Sequence, residues 1–127
     1  TTGSLVTYPH PYRIIDFITD ASGQQSLKIE SYRVNSLPDL PNLSDVSRNW
    51  LGDRSFHYMY KLLTNPPLNL SPEFATQLAP SLRYFWADIA GGDAVLDFPN
   101  LPPEVRRYFQ SFNATNSIDN NATLLLS

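Results

Sequence analysis

The chain has 127 residues and a formal net charge of −3, with 42% apolar, 13% aromatic and 17% charged residues. That length suits one domain rather than two, and the apolar content is ample for a core, which excludes disorder along the whole chain. No apolar run approaches the roughly 18 residues of a membrane span, so no membrane partner is expected. Cysteine is absent. Thiol catalysis, disulfide frameworks and thiolate metal sites are thereby excluded. A pI near 5.1 argues against a protein held to nucleic acid mainly by bulk positive charge.

In chain order, Ser4 to Tyr8 reads as a short alternating strand, ended by Pro9-His10-Pro11. Tyr12 to Thr19 is rich in β-branched and aromatic residues and runs into the turn Asp20-Ala21-Ser22-Gly23. Gln25 to Val34 returns with Leu27, Ile29 and Ser31 on one face and Lys28, Glu30 and Tyr32 on the other. These two runs form the clearest hairpin in the sequence.

After the loop Leu37-Pro38-Asp39-Leu40-Pro41, Ser44 and Asp45 mark a helix start. Val46, Trp50, Phe56, Tyr60 and Leu63 define its apolar face. Gly52-Asp53 interrupts the pattern, giving either one bent helix or two short ones. Ser71-Pro72-Glu73 is a strong helix cap: a hydroxyl, then proline at the first helical position, then an acid at the positive end. The helical pattern of Phe74, Leu78, Leu82, Phe85, Trp86 and Ile89 runs to Gly91-Gly92, with a break expected near Ala79 because of Pro80. Ala94 to Phe98 reads as a short buried strand, and Pro102-Pro103-Glu104 opens a last helix carrying Val105, Phe109 and Phe112 inward. Residues 113–127 read as a polar, mobile C-terminal tail or linker that ends in Leu124-Leu125-Leu126. The expected architecture is α+β: a single domain over 1–112, with a small sheet from the N-terminal hairpin and extra short strands against three to four helices.

Catalytic signatures are thin. Neither His10 nor His57 has a helical metal-binding partner, and no His-Glu-x-x-His occurs, so a His–Ser or His–Asp set requires tertiary contact. Asp88, Asp93 and Asp97 flank Gly91-Gly92 and suggest a divalent-cation site for a small hydrolase, although the spacing fails the EF-hand pattern and a helix stop explains it equally. Phosphate-loop and nucleophile-elbow motifs are absent. No cofactor is expected. Four Asn-x-Ser/Thr triplets coincide with helix caps or with asparagine-rich composition, so a cytoplasmic or virion setting is favoured over secretion.

The positive signal lies in arginine. Seven Arg stand against two Lys, and every Arg has an aromatic ring within two positions. Such pairs suit cation–π contacts on a monomer surface, anchors of a protein interface, or stacking on unpaired bases. Arg83, Tyr84 and Trp86 on one helix, with Arg106, Arg107 and Tyr108 on another, are the candidate partner-binding residues. The sequence therefore points to a non-enzymatic interaction or assembly module, most simply a homodimer. Its Cys-free, Lys-poor, Pro- and Asn-rich composition fits a viral or phage assembly protein. Single-stranded RNA binding is one alternative, and a metal-dependent hydrolase is the other.

Overall fold

The computed structural model describes residues 4–92, 94–115 and 120–126. Two parts make up the α+β fold: a three-stranded antiparallel sheet and a helical body. The strands are β1 (Pro11–Thr19), β2 (Gln25–Arg33) and β3 (Ala122–Leu126), in the order β1-β2-β3. The helices are α1 (Leu43–Thr64), α2 (Pro72–Leu78), α3 (Phe85–Ala90) and α4 (Pro103–Gln110), with a 3₁₀ turn over Ala79–Leu82.

The hairpin forms as its residues dictate. Asp20 accepts at Oδ1 from the backbone amides of Ser22 (2.8 Å) and Gln24 (3.0 Å), and Gly23 takes the left-handed φ of 84° that the turn requires. Nine residue pairs then run in register from Thr19–Gln25 to Pro11–Arg33. The third strand is not the one expected. Ser4 to Tyr8 closes into turns, with His10 N–H donating to Thr7 O at 2.7 Å. Ala94 to Phe98 is irregular, because the Asn113 side-chain amide takes both backbone bonds of Leu96, at 2.8 and 2.9 Å. With its N–H and C=O both satisfied by one side chain, that segment has no ladder to join. The vacant place beside β2 goes instead to Ala122–Leu126, inside the stretch expected to be a mobile tail.

In the helical body the cap signals are realised. Ser71 Oγ accepts from Phe74 N at 3.3 Å, Pro80 stands in the 3₁₀ turn, and Gly92 closes α3 with a φ of 69°. The core joins Met59 and Leu63 of α1, Ala75, Ala79, Leu82 and Phe85 of the middle helices, and Leu101, Val105 and Phe109 at α4. Phe109 is fully buried and meets Phe85 edge-on at 4.9 Å between ring centres.

Helix α1 is a single helix through Gly52-Asp53. Its buried stripe is Gly52, Ser55, Met59 and Leu63, which leaves Val46 and Trp50 exposed rather than inward. The reason is local: the first turns of α1 meet the chain through polar groups, Ser47 with His10 and Arg48 with Asp88. No helix among the described residues is long and apolar enough to cross a membrane.

Candidate interaction surface

The six arginine and aromatic positions separate into two groups. Arg83 and Tyr84 lie against α1. The Tyr84 ring sits beneath the guanidinium of Arg48 at 4.0 Å and that of Arg83 at 4.9 Å, while its hydroxyl donates to Asn49 Oδ1 at 2.6 Å. A side chain on Gly52 would meet that ring at 3.0 Å, so glycine gives it room. Arg83 also reaches Asp53 at 2.6 Å. Arg48 pairs with Asp88 at 2.8 Å, and this bond raises the guanidinium pKa above its ordinary value, against a smaller opposing effect of burial.

Trp86 and Tyr108 are brought together through Phe112, whose ring centre lies 6.0 Å from Trp86 and 5.5 Å from Tyr108. Arg106 turns back onto its own approach loop, donating to Pro99 O at 2.6 Å and Leu101 O at 3.2 Å. Arg107 is exposed and lines, with Tyr108, Leu68 and Leu70, a shallow groove of about 390 Å³. Several of these rings and cations are therefore spent on intramolecular contacts.

The acidic positions are similarly dispersed in their partners. Asp88 is bound by Arg48, and Asp97 accepts from Gln110 Nε2 at 3.3 Å. Asp93 lies outside the described residues. Among those described, no three His, Asp or Glu side chains are placed to hold a metal ion. His57 sits on the exposed side of α1. A His–Ser contact does form through tertiary structure: His10 Nε2 lies 2.9 Å from Ser47 Oγ. Leu5 O only accepts, so the Nδ1 atom 3.0 Å from it carries a proton. The ring is thus oriented by a backbone carbonyl, and Ser47 Oγ is also 2.7 Å from Leu43 O. The pair fastens the N-terminal turn to α1.

Among the described residues the sheet carries a broad exposed surface, which the arginine pattern does not reveal. Alternate residues of a strand face opposite sides. The register therefore places Ile15 and Phe17 of β1, Leu27 and Ile29 of β2, and Ala122, Leu124 and Leu126 of β3 on one face. Ile15 and Phe17 are each 60% exposed. The opposite face is mixed: Tyr12 stacks on Tyr32 at 5.4 Å, Lys28 pairs with Glu30 at 3.1 Å, and Ile14, Ile18 and Leu125 are exposed between them. The Glu30 hydrogen bond raises the Lys28 pKa.

The sheet is tied to the body at one end. Arg33 donates to Gly91 O at 2.7 Å, and Val34 N–H donates to His10 O at 3.1 Å. Near that end Asn120 and Asn121 fasten the start of β3: Asn121 Oδ1 accepts from Ser31 N at 2.9 Å, while Asn120 takes the Ser31 hydroxyl on its carbonyl and Arg13 on its side chain. At the far end Gln24 Nε2 donates to Leu126 O at 2.8 Å. The signal for this surface was the doubled apolar pattern of β1, where Ile14, Ile15, Phe17 and Ile18 supply both faces at once. In comparison with known proteins, the chain matches no protein-family model, no curated protein and no solved structure.

Proposed function

We propose that this chain is a non-enzymatic interaction and assembly module that self-associates through its projecting sheet. The observation that carries this reading is the exposure of Ile15 and Phe17, 60% each, on the edge strand of an apolar face built from all three strands. Two strands of nine residues and one of five, at about 3.3 Å per residue and 4.8 Å per strand, give a face of about 360 Å². Exposed apolar patches of that size mark interaction sites. Small sheets are marginal and gain stability from added strands, so association that widens the sheet and folding of the sheet support each other. Light scattering on the eluting protein tests it: self-association is expected for the parent chain and is lost in Ile15→Glu. A parent chain that stays monomeric at high protein concentration would reject the proposal.

A second reading, binding of single-stranded RNA, is favoured by one feature of α1. Arg54 lies over the Trp50 ring at 4.5 Å, beside a shallow surface of about 510 Å³ lined by Asp53, Arg54, His57, Tyr58 and Lys61. Exposed rings interleaved with cations suit stacked bases and their phosphates. Fluorescence anisotropy with a labelled oligonucleotide at two salt concentrations checks it: affinity should fall with salt and with Lys61→Glu.

A further inference from the structure

The hydrogen bonds at the two ends of the hairpin fix which backbone groups of β1 are free. Asp20 N–H donates to Gln24 O at 3.0 Å, and Val34 N–H donates to His10 O at 3.1 Å. In an antiparallel pair, hydrogen-bonded positions recur at every second residue. The even-numbered residues Tyr12, Ile14, Asp16 and Ile18 therefore direct their N–H and C=O groups toward β2. Arg13, Ile15, Phe17 and Thr19 direct theirs outward, to the open edge of the sheet.

This edge lacks the devices that ordinarily block one. It pairs with β2 over nine consecutive residues with no bulge, and its only proline is the first residue, Pro11. Arg13 and Asp16 are its only charges. A long, flat, apolar edge is a template for another strand. The opposite edge, β3, is only five residues long.

We infer that a second copy of this chain adds its own β1 antiparallel to this edge, about a two-fold axis at Ile15, to make one six-stranded sheet. The inference rests on the assembly reading above and specifies its partner and geometry. Full overlap of β1 selects the register, and charge agrees with it. Centring the axis on Ile15 sets Ile15 against itself, Arg13 against Phe17 of the second copy, Ile14 against Asp16, and Tyr12 against Ile18. No like charges then stand directly opposite. Moving the axis to Arg13 opposes two arginines, and moving it to Asp16 opposes two carboxylates, either of which is destabilising across strands. The Ile15 register also overlaps the whole of β1 and sets the outward amides of residues 13, 15 and 17 against outward carbonyls. Arg13, already held by Ser31 Oγ at 3.0 Å, lies on the same face as the Phe17 ring it would meet.

Because the chain has no cysteine, single substitutions read this geometry directly. Hydrogen-bonded pairs in an antiparallel sheet have Cα atoms about 5.5 Å apart, within the range that a disulfide spans. Ile15→Cys should therefore oxidise to a covalent dimer, at least tenfold faster than Phe17→Cys, whose two copies would lie about 13 Å apart along the strands. Arg13→Cys mixed with Phe17→Cys should cross-link as the heterodimer faster than either alone. Equal cross-linking at all positions, or none at Ile15→Cys in a sample that light scattering shows to be associated, would overturn the edge pairing and leave the assembly reading intact. A monomer by light scattering, with no cross-link at any position, would overturn both.

Discussion

Arg33 Nη2 donates to the carbonyl oxygen of Gly91 at 2.7 Å, joining the root of the sheet to the end of α3. The contact spans two parts of the chain with different duties: a body that buries Phe85 and Phe109 and a sheet that exposes Phe17. Removing it should loosen one part against the other without unfolding either. In Arg33→Ala, amide exchange around Val34 should quicken while that of Phe109 is unchanged, and the melting temperature should fall by no more than about 1 kcal/mol would produce, since the side chain is exposed.

The division between body and sheet predicts opposite consequences for two phenylalanines. Phe109 is fully buried among Phe85, Phe98 and Tyr108. Phe109→Ala should cost about 3–5 kcal/mol in chemical denaturation. Phe17→Ala, on the exposed face, should change the stability of the monomer by less than about 0.5 kcal/mol and act on association instead.

Gly52 predicts the worth of the Tyr84 cluster. A Cβ there lies 3.0 Å from two carbons of a ring already held by Arg48, Arg83 and Asn49. Gly52→Val should destabilise the fold by about 1–3 kcal/mol, read as a lower melting temperature, despite the gain of replacing a helical glycine.

The hairpin turn has its own pH dependence. Hydrogen bonds from the Ser22 side chain first, and then from the Gln24 and Ser22 amides, hold the Asp20 carboxyl below the ordinary Asp value of 3.8. A carboxylate lowered on folding contributes stability that is full above 3.8 and is lost as pH falls through its folded value. Chemical shifts of Ser22 and Gln24 amides should therefore titrate below the ordinary Asp value of 3.8, and in Asp20→Asn that transition should vanish.

Much of the body was legible because its signals are local. Ser71, Pro72 and Glu73 cap α2, Pro80 breaks the helix, and Gly92 ends α3, each through its own backbone chemistry. The hairpin was equally legible from its turn and alternation. The third strand was not, because Ala94–Phe98 and Ala122–Leu126 are similar short apolar runs, and what separates them is distant. Asn113 occupies the backbone of Leu96, whereas Asn120 and Asn121 secure the other run beside Ser31. Asparagines that read as loop composition thus decide which segment becomes a strand.

The arginine–aromatic pattern was real in sequence but divided in space. Tyr84 takes up Arg48 and Arg83 within the monomer, Arg106 folds onto Pro99 and Leu101, and Arg107 alone of the four points to solvent as an exposed residue. Adjacency in sequence brought ring and cation close without deciding whether either remained free. The exposed surface of the sheet is largely apolar, and the doubled pattern Ile14-Ile15-Asp16-Phe17-Ile18 encodes it.

The most direct measurement is the mass of the protein in solution, by size-exclusion chromatography with light scattering, for the parent chain and Ile15→Glu side by side. A parent mass of twice the 14.4 kDa chain, falling to a single chain in the variant with unchanged circular dichroism, is the predicted result. Equal masses for the two proteins, whether monomer or dimer, would contradict the claim that the sheet is the surface of assembly.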